Sequence, residues 1–90
     1  MARLSAAMRY YLHLHNQIGS AFDEEGQELL DLAAARDQAL AGIRSVLSEE
    51  IRAGTLDLRG RIEIADGAGQ VLEIVPFTAA IDFCFPEGQT

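Results

Sequence analysis

The sequence predicts a small α+β domain in which an antiparallel β-sheet carries one long amphipathic helix on one face. Three observations lead to this prediction. Residues 9–16 alternate between two faces, residues 32–53 repeat apolar side chains at three- and four-residue intervals, and residues 62–75 hold two β-rich runs around a glycine turn. Alternation is typical of strands and the longer spacing of a helix. Strands on both sides of a single helix indicate three to five strands in the order β-β-(β)-α-β-β.

The composition restricts the class of protein. The chain has 90 residues, 49% of them apolar, one cysteine, and a net charge of −7 in which all seven cations are arginine. This balance disfavours nucleic acid and anionic membrane surfaces as partners, because both attract clustered positive charge. No apolar run approaches the roughly 20 residues that cross a bilayer, the start of the chain lacks the apolar core of a signal peptide, and one cysteine cannot form an internal disulfide. We therefore expect a cytoplasmic protein.

The first predicted strand spans residues 9–16 and has one buried face. Its side chains divide into a set directed at the helix, Tyr10, Leu12 and Leu14, and a set on the opposite face, Tyr11, His13 and His15. Shorter strands are expected around residues 20–22 and 27–30, with the second preceded by the turn "DEEG", where Gly26 can take positive φ without penalty. No second helix is present to cover the face with the histidines, so only solvent or another molecule can cover it.

The helix is predicted from Leu32 to about Ala53. Asp31 is placed to act as its N-cap, Gly54 follows its C-cap, and Arg52 lies near the negative end of the helix dipole. The apolar stripe that should pack on the sheet consists of Leu32, Ala39, Leu40, Ile43, Leu47 and Ile51.

Residues 62–75 are predicted to form a β-hairpin around the turn "DGAG". The second strand of this hairpin is apolar on both faces, which indicates an interior strand or one that a partner covers. Pro76 lacks an amide hydrogen and should end the pairing or lie at an edge. The tail, residues 79–90, alternates around its phenylalanines and can include one more short strand. The order of strands in the sheet is left open, because either hairpin can flank either edge.

His13 and His15 are the first candidates for a functional site. An H-x-H pair on a strand places both imidazoles on one face, with Cα atoms about 7 Å apart. Zinc needs three or four ligands, and the sequence contains no HExxH, no second histidine pair and no CxxC. Further donors would have to come from the carboxylates of residues 23–28, which no spacing demands. We favour a solvated or partner-facing surface and assign no metal ligand.

Arg36 falls within the apolar stripe, so its guanidinium must extend to solvent or meet a carboxylate. The acidic residues just upstream, within 23–31, are the expected source of that carboxylate. We favour an ion pair that ties the turn to the helix over a site for an anionic ligand or substrate.

Signals of catalysis are weak. Cys84 lies between two phenylalanines and is interpreted as a buried or incidental thiol rather than a nucleophile acting with His13 or His15. No serine lies in a catalytic motif, and "DGAG" is not a phosphate-binding loop. We assign no catalytic and no cofactor-binding residue.

Three segments together resemble a known family: "MRYYLHLHN", "DEEGQELLDLAAARDQAL" and "GRIEIADGAGQVLEIVPF". The family consists of short bacterial proteins, common in alphaproteobacteria and known only as a domain of unknown function. Its members read roughly R-Y-[FY]-F-H-[LV], then D-x-E-G-x-E-L-x-D-[LA]-x-x-A-R, then V-P-F. His13 and Arg36 fall on motif positions and His15 does not.

The resemblance covers residues 8–77 and implies no activity. Members usually begin near the position of Met8, which implies that residues 1–8 are a disordered extension of a single domain spanning residues 9–78. By fold analogy alone, the order of elements is also similar to small antitoxins of the HicB type, although no helix-turn-helix is visible.

Two functions from different classes fit these observations. The first is a non-enzymatic interaction or regulatory module that acts through an exposed sheet face or edge on a copy of itself or another protein. The second is a small metal- or ligand-binding protein or enzyme that uses His13 with carboxylates of residues 23–28. We expect the first, without a cofactor and without nucleic acid or membrane as a partner. Micromolar zinc or nickel should shift the histidine ring signals only under the second.

Overall fold

The computed structural model describes residues 7–87 and confirms the predicted α+β class, an antiparallel sheet with one long helix. In chain order the elements are β1 (Met8–His15), β2 (Ser20–Ala21), β3 (Gln27–Leu29), α1 (Leu32–Arg52), β4 (Arg61–Ala65), β5 (Val71–Pro76) and the 3-10 helix η1 (Phe77–Ala80). Within this part of the chain no helix has the length and apolarity needed to cross a membrane.

Strand β1 lies inside the sheet, although it is the first element of the chain. β4 pairs with one edge of it, from Tyr11 opposite Ala65 to His15 opposite Arg61. The other edge is divided between β2 and β3, which pair with opposite ends of β1. β5 pairs with the far side of β4, so the order is β2-β1-β4-β5, with β3 also beside β1. Among the described strands β5 lies at an edge of the sheet, so the first of the two predicted alternatives, an interior strand, is wrong. The second, coverage by a partner, stays a prediction.

Helix α1 packs across one face of the sheet through the buried residues Ala35, Ala39, Ile43 and Leu47. The predicted stripe is wrong at Ile51, which is 60% exposed in the last turn. A helix of 21 residues is about 31 Å long, whereas strands of five to eight residues reach only about 17–27 Å, so the end of α1 has no sheet beneath it.

Both ends of α1 carry the predicted caps. Asp31 Oδ1 accepts a hydrogen bond from the amide of Ala34 at 2.9 Å. Gly54 follows the C-cap residue Ala53, adopts φ +90° and donates its amide to the carbonyl of Ile51 at 2.9 Å. A glycine suits this left-handed position because it has no Cβ to clash.

The core between helix and sheet is closed at one end by η1. Phe77 is fully buried, and its amide donates to the carbonyl of Gly60 at 2.9 Å. A Cβ on Gly60 would lie 2.5 Å from the Phe77 ring, so this close approach requires glycine. From the sheet and η1 the core also receives Tyr10, Ile62, Ile64, Val75 and Ala80.

The two ends of the chain differ from the sequence prediction in part. No strand forms among residues 81–87, which follow η1. Residues 88–90 of the tail and residues 1–6 of the predicted N-terminal extension lie outside the described residues, whereas Met8 already belongs to β1.

Helix α1 leaves part of β1 uncovered. A groove of about 470 Å³ runs between them, bounded at the sheet edge by Asp23 and Gln27. Its walls include Leu12, Leu14, Ile62, Ala41, Gly42 and Val46.

Candidate functional site

The sheet has an outer face, which points away from α1. Cross-strand partners share a face, and Leu12 lies opposite Ile64, whose side chain is buried in the core under α1. His13 lies opposite Glu63, which in turn lies opposite Ile74, so these side chains share the other face. The outer face includes Tyr11, His13, His15, Arg61, Glu63 and Ile74. The alternation in the sequence therefore assigned the histidines to the correct side.

Phe22 covers the two histidines from the end of β2. Its ring centroid lies 5.4 Å from that of His13 and 5.6 Å from that of His15. Tyr11 stacks on the other side of His13 at 6.5 Å. Both histidine rings are therefore half-buried beneath aromatic neighbours from the same chain, whereas Phe22 itself is 64% exposed.

The His13 ring also holds the segment that follows β2. Its Nδ1 accepts the backbone amide hydrogen of Asp23 at 3.1 Å. An imidazole nitrogen that accepts carries no proton, so this contact assigns the neutral ring of His13 the hydrogen on Nε2. Nδ1 is therefore occupied by a structural hydrogen bond.

His15 contacts a different set of groups. Its Nδ1 lies 2.7 Å from Ser20 Oγ, and its Nε2 lies 3.2 Å from Glu63 Oε1. This Nε2 is buried, and its position relative to Glu63 lacks the geometry of a hydrogen bond. The hydrogen-bonded guanidinium of Arg61 lowers the pKa of Glu63 below its ordinary value, against the opposing effect of burial and with help from the nearby imidazole.

The predicted alternative donors, the carboxylates of residues 23–28, do not gather around His13. Asp23 is adjacent to it, but its carboxylate accepts backbone amides. Glu28 lies 3.4 Å from Arg9 instead. Within residues 7–87 no three His, Cys, Asp or Glu side chains are arranged to hold a metal ion.

Asp23 fills the interval between β2 and β3 along the edge of β1. Its Oδ2 accepts from the amide of Leu12 at 3.2 Å, and its Oδ1 accepts from the amides of Glu25 at 3.2 Å and Gly26 at 3.0 Å. Burial alone would raise the pKa of Asp23, but these backbone hydrogen bonds together lower it below its ordinary value. One carboxylate thus takes the place of a strand residue, a role that the sequence analysis did not assign to it.

Arg36 finds its carboxylate on a different element from the one predicted. It forms an ion pair and hydrogen bond with Glu73 of β5, 37 positions along the chain, rather than with the acidic residues at 23–31. α1 lies across the sheet, so Arg36 is carried toward β5, whereas residues 23–28 lie beyond β1 at the opposite edge. The contact ties the helix to the sheet, not to the turn.

The outer edge of β5, which faces away from β4, carries backbone groups in a defined pattern. The amide of Phe77 bonds to Gly60 across the β4 side, and bonding positions alternate along an antiparallel pair. Val75 and Glu73 therefore bond toward β4, while the amide and carbonyl of Ile74 point outward. No described residue of the chain pairs with this edge.

Cys84 lies in the tail beyond η1 and is exposed, so the buried alternative predicted for its thiol is wrong. Phe83 and Phe85 on either side of it are exposed as well. The reason is that residues 81–87 leave the core after Ile81, which still packs against it.

Comparison with known proteins gives the family. The sequence model of one family, described as a domain of unknown function (DUF6894), matches residues 9–78. The chain belongs to the DUF6894 family. The predicted membership in a family of unknown function is thereby confirmed, and the DUF6894 region covers every element except the first residue of β1 and the end of η1. No curated protein and no solved structure matches the chain significantly.

The motif positions quoted for the resemblance have structural roles in this DUF6894 chain. Asp23 and Gly26 shape the edge of β1, Asp31 caps α1, Arg36 pairs with β5 and Phe77 closes the core. Sequence reasoning missed the partner of Arg36 and the bond from Leu12 to Asp23. The "DEEG" turn was a signal for the second, because an aspartate at the start of a turn commonly accepts backbone amides.

Proposed function

We propose that this chain is a non-catalytic protein-interaction module of the cytoplasm that binds a β-strand of another protein chain along the outer edge of β5. The observation that carries the proposal is the apolar character of this strand. Val71, Leu72 and Ile74 are 44%, 39% and 53% exposed, respectively. In strand addition, main-chain hydrogen bonds supply affinity and alternate side chains supply specificity.

The two edges of the sheet differ in strand length and charge, and this difference supports the proposal. Natural sheets protect their edges with short strands, bulges and charges. On the β1 side the margin consists of β2 and β3, of two and three residues, with the Asp23 carboxylate between them. β5 has six residues, and its one charged side chain, that of Glu73, is neutralised by Arg36.

The length of the available edge also suits a short added strand. A register shift between Ile64 and Ala65 disturbs the start of the β4–β5 pair, and Pro76 lacks an amide hydrogen at its end. Residues 73–75 remain between these two features, because Leu72 is the extra residue at the register shift. The cytoplasmic location rests on the single cysteine, which rules out an internal disulfide.

A pair of matched variants tests the proposal. Ile74→Lys places a charge on the outer edge of β5, whereas Ile18→Lys makes the same change in the turn between β1 and β2, where Ile18 is 94% exposed. Tagged forms of both variants and of the unchanged chain are used to capture proteins from an extract of the source cells, with quantitative mass spectrometry and light scattering as the readouts. A bound chain, either a copy or another protein, should be retained with Ile18→Lys and lost with Ile74→Lys. Equal retention by the two variants, or no bound chain at all, would refute the proposal.

A further inference from the structure

We infer that the chain bound at this edge is a second copy of the protein, paired antiparallel through β5 about a two-fold axis at Ile74. The inference rests on the proposed function and names the partner. A two-fold interface uses the same patch on both copies, so its groups must complement themselves. Ile74 meets this requirement, because its outward amide and carbonyl can exchange two hydrogen bonds with Ile74 of the second copy.

The register follows from the residues on either side of Ile74. Centring the pair on Ile74 places Pro76, which has no amide hydrogen to leave unpaired, opposite Leu72 of the second copy. Centring it on Glu73 would set two carboxylates directly opposite, with Cα atoms about 4.5 Å apart, which is unfavourable. Centring it on Val75 would put Pro76 opposite Ile74 and leave the Ile74 carbonyl without a donor. The Ile74 register keeps the Glu73 carboxylates apart and forms both Ile74 hydrogen bonds. The carbonyl that it leaves without a donor is that of Leu72, at the irregular end of β5.

The charge distribution favours a copy of this acidic chain at this edge over any other edge. Two molecules of net charge −7 repel each other on average. On β4 and β5 themselves, however, both carboxylates are paired: Glu73 with Arg36 and Glu63 with Arg61. The unbalanced acidic segment, residues 23–31, lies at the opposite margin of the sheet. Two copies therefore approach with the least repulsion when they join β5 to β5.

The Arg36–Glu73 pair would also act across the axis. Its side chains are 41% and 28% exposed at the margin of the sheet. In the Ile74 register Glu73 lies opposite Val75 of the second copy, so the two Glu73 side chains stand diagonally across the axis, about 8 Å apart at Cα. Each Arg36 then faces its own Glu73 and, across the axis, the Glu73 of the other copy. Four charges of alternating sign therefore surround the two-fold axis, on the face of the sheet that carries α1.

Charge reversal tests this arrangement. Arg36→Glu gathers four carboxylates around the axis, and Glu73→Arg gathers four guanidinium groups. Each variant alone should therefore self-associate at least about tenfold more weakly than the unchanged chain. An equimolar mixture of the two variants should form a one-to-one heterodimer, because opposite charges then meet. Light scattering and native mass spectrometry, which separates the two variants by mass, measure both effects.

A third variant controls for the possibility that the single substitutions weaken association by unfolding the chain. The double variant Arg36→Glu with Glu73→Arg restores the pair within each chain in reversed order, and it should self-associate like the unchanged chain. Two results would overturn the inference: an unchanged chain that stays monomeric at about 0.1 mM, or single variants that self-associate as well as the unchanged chain. In either case the Ile74→Lys and Ile18→Lys comparison still decides separately whether β5 binds another protein.

Discussion

The carboxylate of Asp23 accepts the amide hydrogen of Leu12 at 3.2 Å, in the interval between β2 and β3 where neither strand reaches β1. Its other oxygen accepts the amides of Glu25 and Gly26. Both oxygens are thus acceptors, which suits the ionised carboxylate because it carries no hydrogen. This one side chain fills the gap between β2 and β3 in the edge of the sheet opposite β5.

Asp23→Asn should destabilise the fold by about 1–3 kcal/mol at pH 7. An asparagine keeps one acceptor oxygen but turns an NH₂ group toward an amide hydrogen, so one donor loses its partner. Urea unfolding measures the change. Asp66→Asn is the matched control, because Asp66 accepts from Ala68 and Gln70 through Oδ1 alone, and we expect a change below about 0.5 kcal/mol. Equal effects of the two substitutions would show that the Leu12 contact contributes nothing.

The Asp23 carboxylate should make the free energy of unfolding depend on pH. The pKa of Asp23 is lower in the folded chain than its ordinary value of 3.8. Its contribution is therefore complete above that value and is lost as the pH falls through the lower, folded pKa. The stability difference between the unchanged chain and Asp23→Asn should stay constant between about pH 7 and 5 and shrink below about pH 4. A difference that grew on acidification would contradict this assignment.

A position can require glycine because of positive φ or because a Cβ would have no space. Comparison of Gly26, Gly69 and Gly67 separates these two reasons. Gly26 has φ +70°, and a Cβ there would lie 2.8–2.9 Å from Arg9 Cγ, Tyr10 O and Tyr11 Cε2. Gly69 has φ +87° without close neighbours, and Gly67 has neither constraint. Substitution by alanine should therefore cost most at Gly26, about 1–3 kcal/mol at Gly69 and little at Gly67. Thermal unfolding of the three variants gives the order, and a tolerant Gly26 would contradict the tight approach of the turn to β1.

Gly42→Ala should stabilise the chain by about 0.5–1 kcal/mol. Glycine is unfavourable inside a helix, and a Cβ at Gly42 would meet only Ile62 Cδ1, at an ordinary contact distance of 3.7 Å. Chemical denaturation tests this expectation, with Ser45→Ala on the exposed side of the same helix as the control. A loss of stability would mean that the groove wall has no room for a methyl group.

The Arg36–Glu73 pair should contribute modestly to stability. Arg36→Ala should lower the melting temperature, and a double-mutant cycle with Glu73→Ala should give a coupling energy of about 0.5–1 kcal/mol, because both side chains retain contact with water. The more exposed pair Arg52–Glu49, at 3.7 Å, serves as the control and should show a smaller coupling. Measurements at low protein concentration exclude a contribution from association. An unchanged melting temperature with no coupling would remove the structural role of Arg36.

His13 should carry its hydrogen on Nε2 in the neutral ring. Nitrogen NMR distinguishes the two tautomers, and His15, whose Nδ1 faces Ser20 instead, provides an internal comparison. Because no three His, Cys, Asp or Glu side chains within residues 7–87 are arranged to hold a metal ion, micromolar zinc should leave the His13 signals in place. A zinc-induced shift of both rings would favour the metal-binding alternative over the interaction module.

The amino-acid sequence by itself determined the elements whose causes are local. Alternation over residues 9–16 located β1 and the face that carries His13. Asp31 and Gly54 set the ends of α1 because caps act within a few residues of the backbone groups that they satisfy. The turns at "DEEG" and "DGAG" followed from glycines that accept positive φ. Each of these features needs only neighbouring residues to form.

The tertiary structure alone decided which distant segments meet. One apolar stripe on a helix can cover sheets of several strand orders, so the position of β5 at an edge depended on the joint packing of all strands. Carboxylates along a chain are alike in sequence, and Arg36 paired with the one that the crossing of α1 brought near, Glu73. Tertiary packing also placed the Asp23 carboxylate beside the Leu12 amide at one edge of the sheet. At the other edge it left the amide and carbonyl of Ile74 pointing outward. Local chemistry chose the elements, while burial of their apolar faces together chose the arrangement.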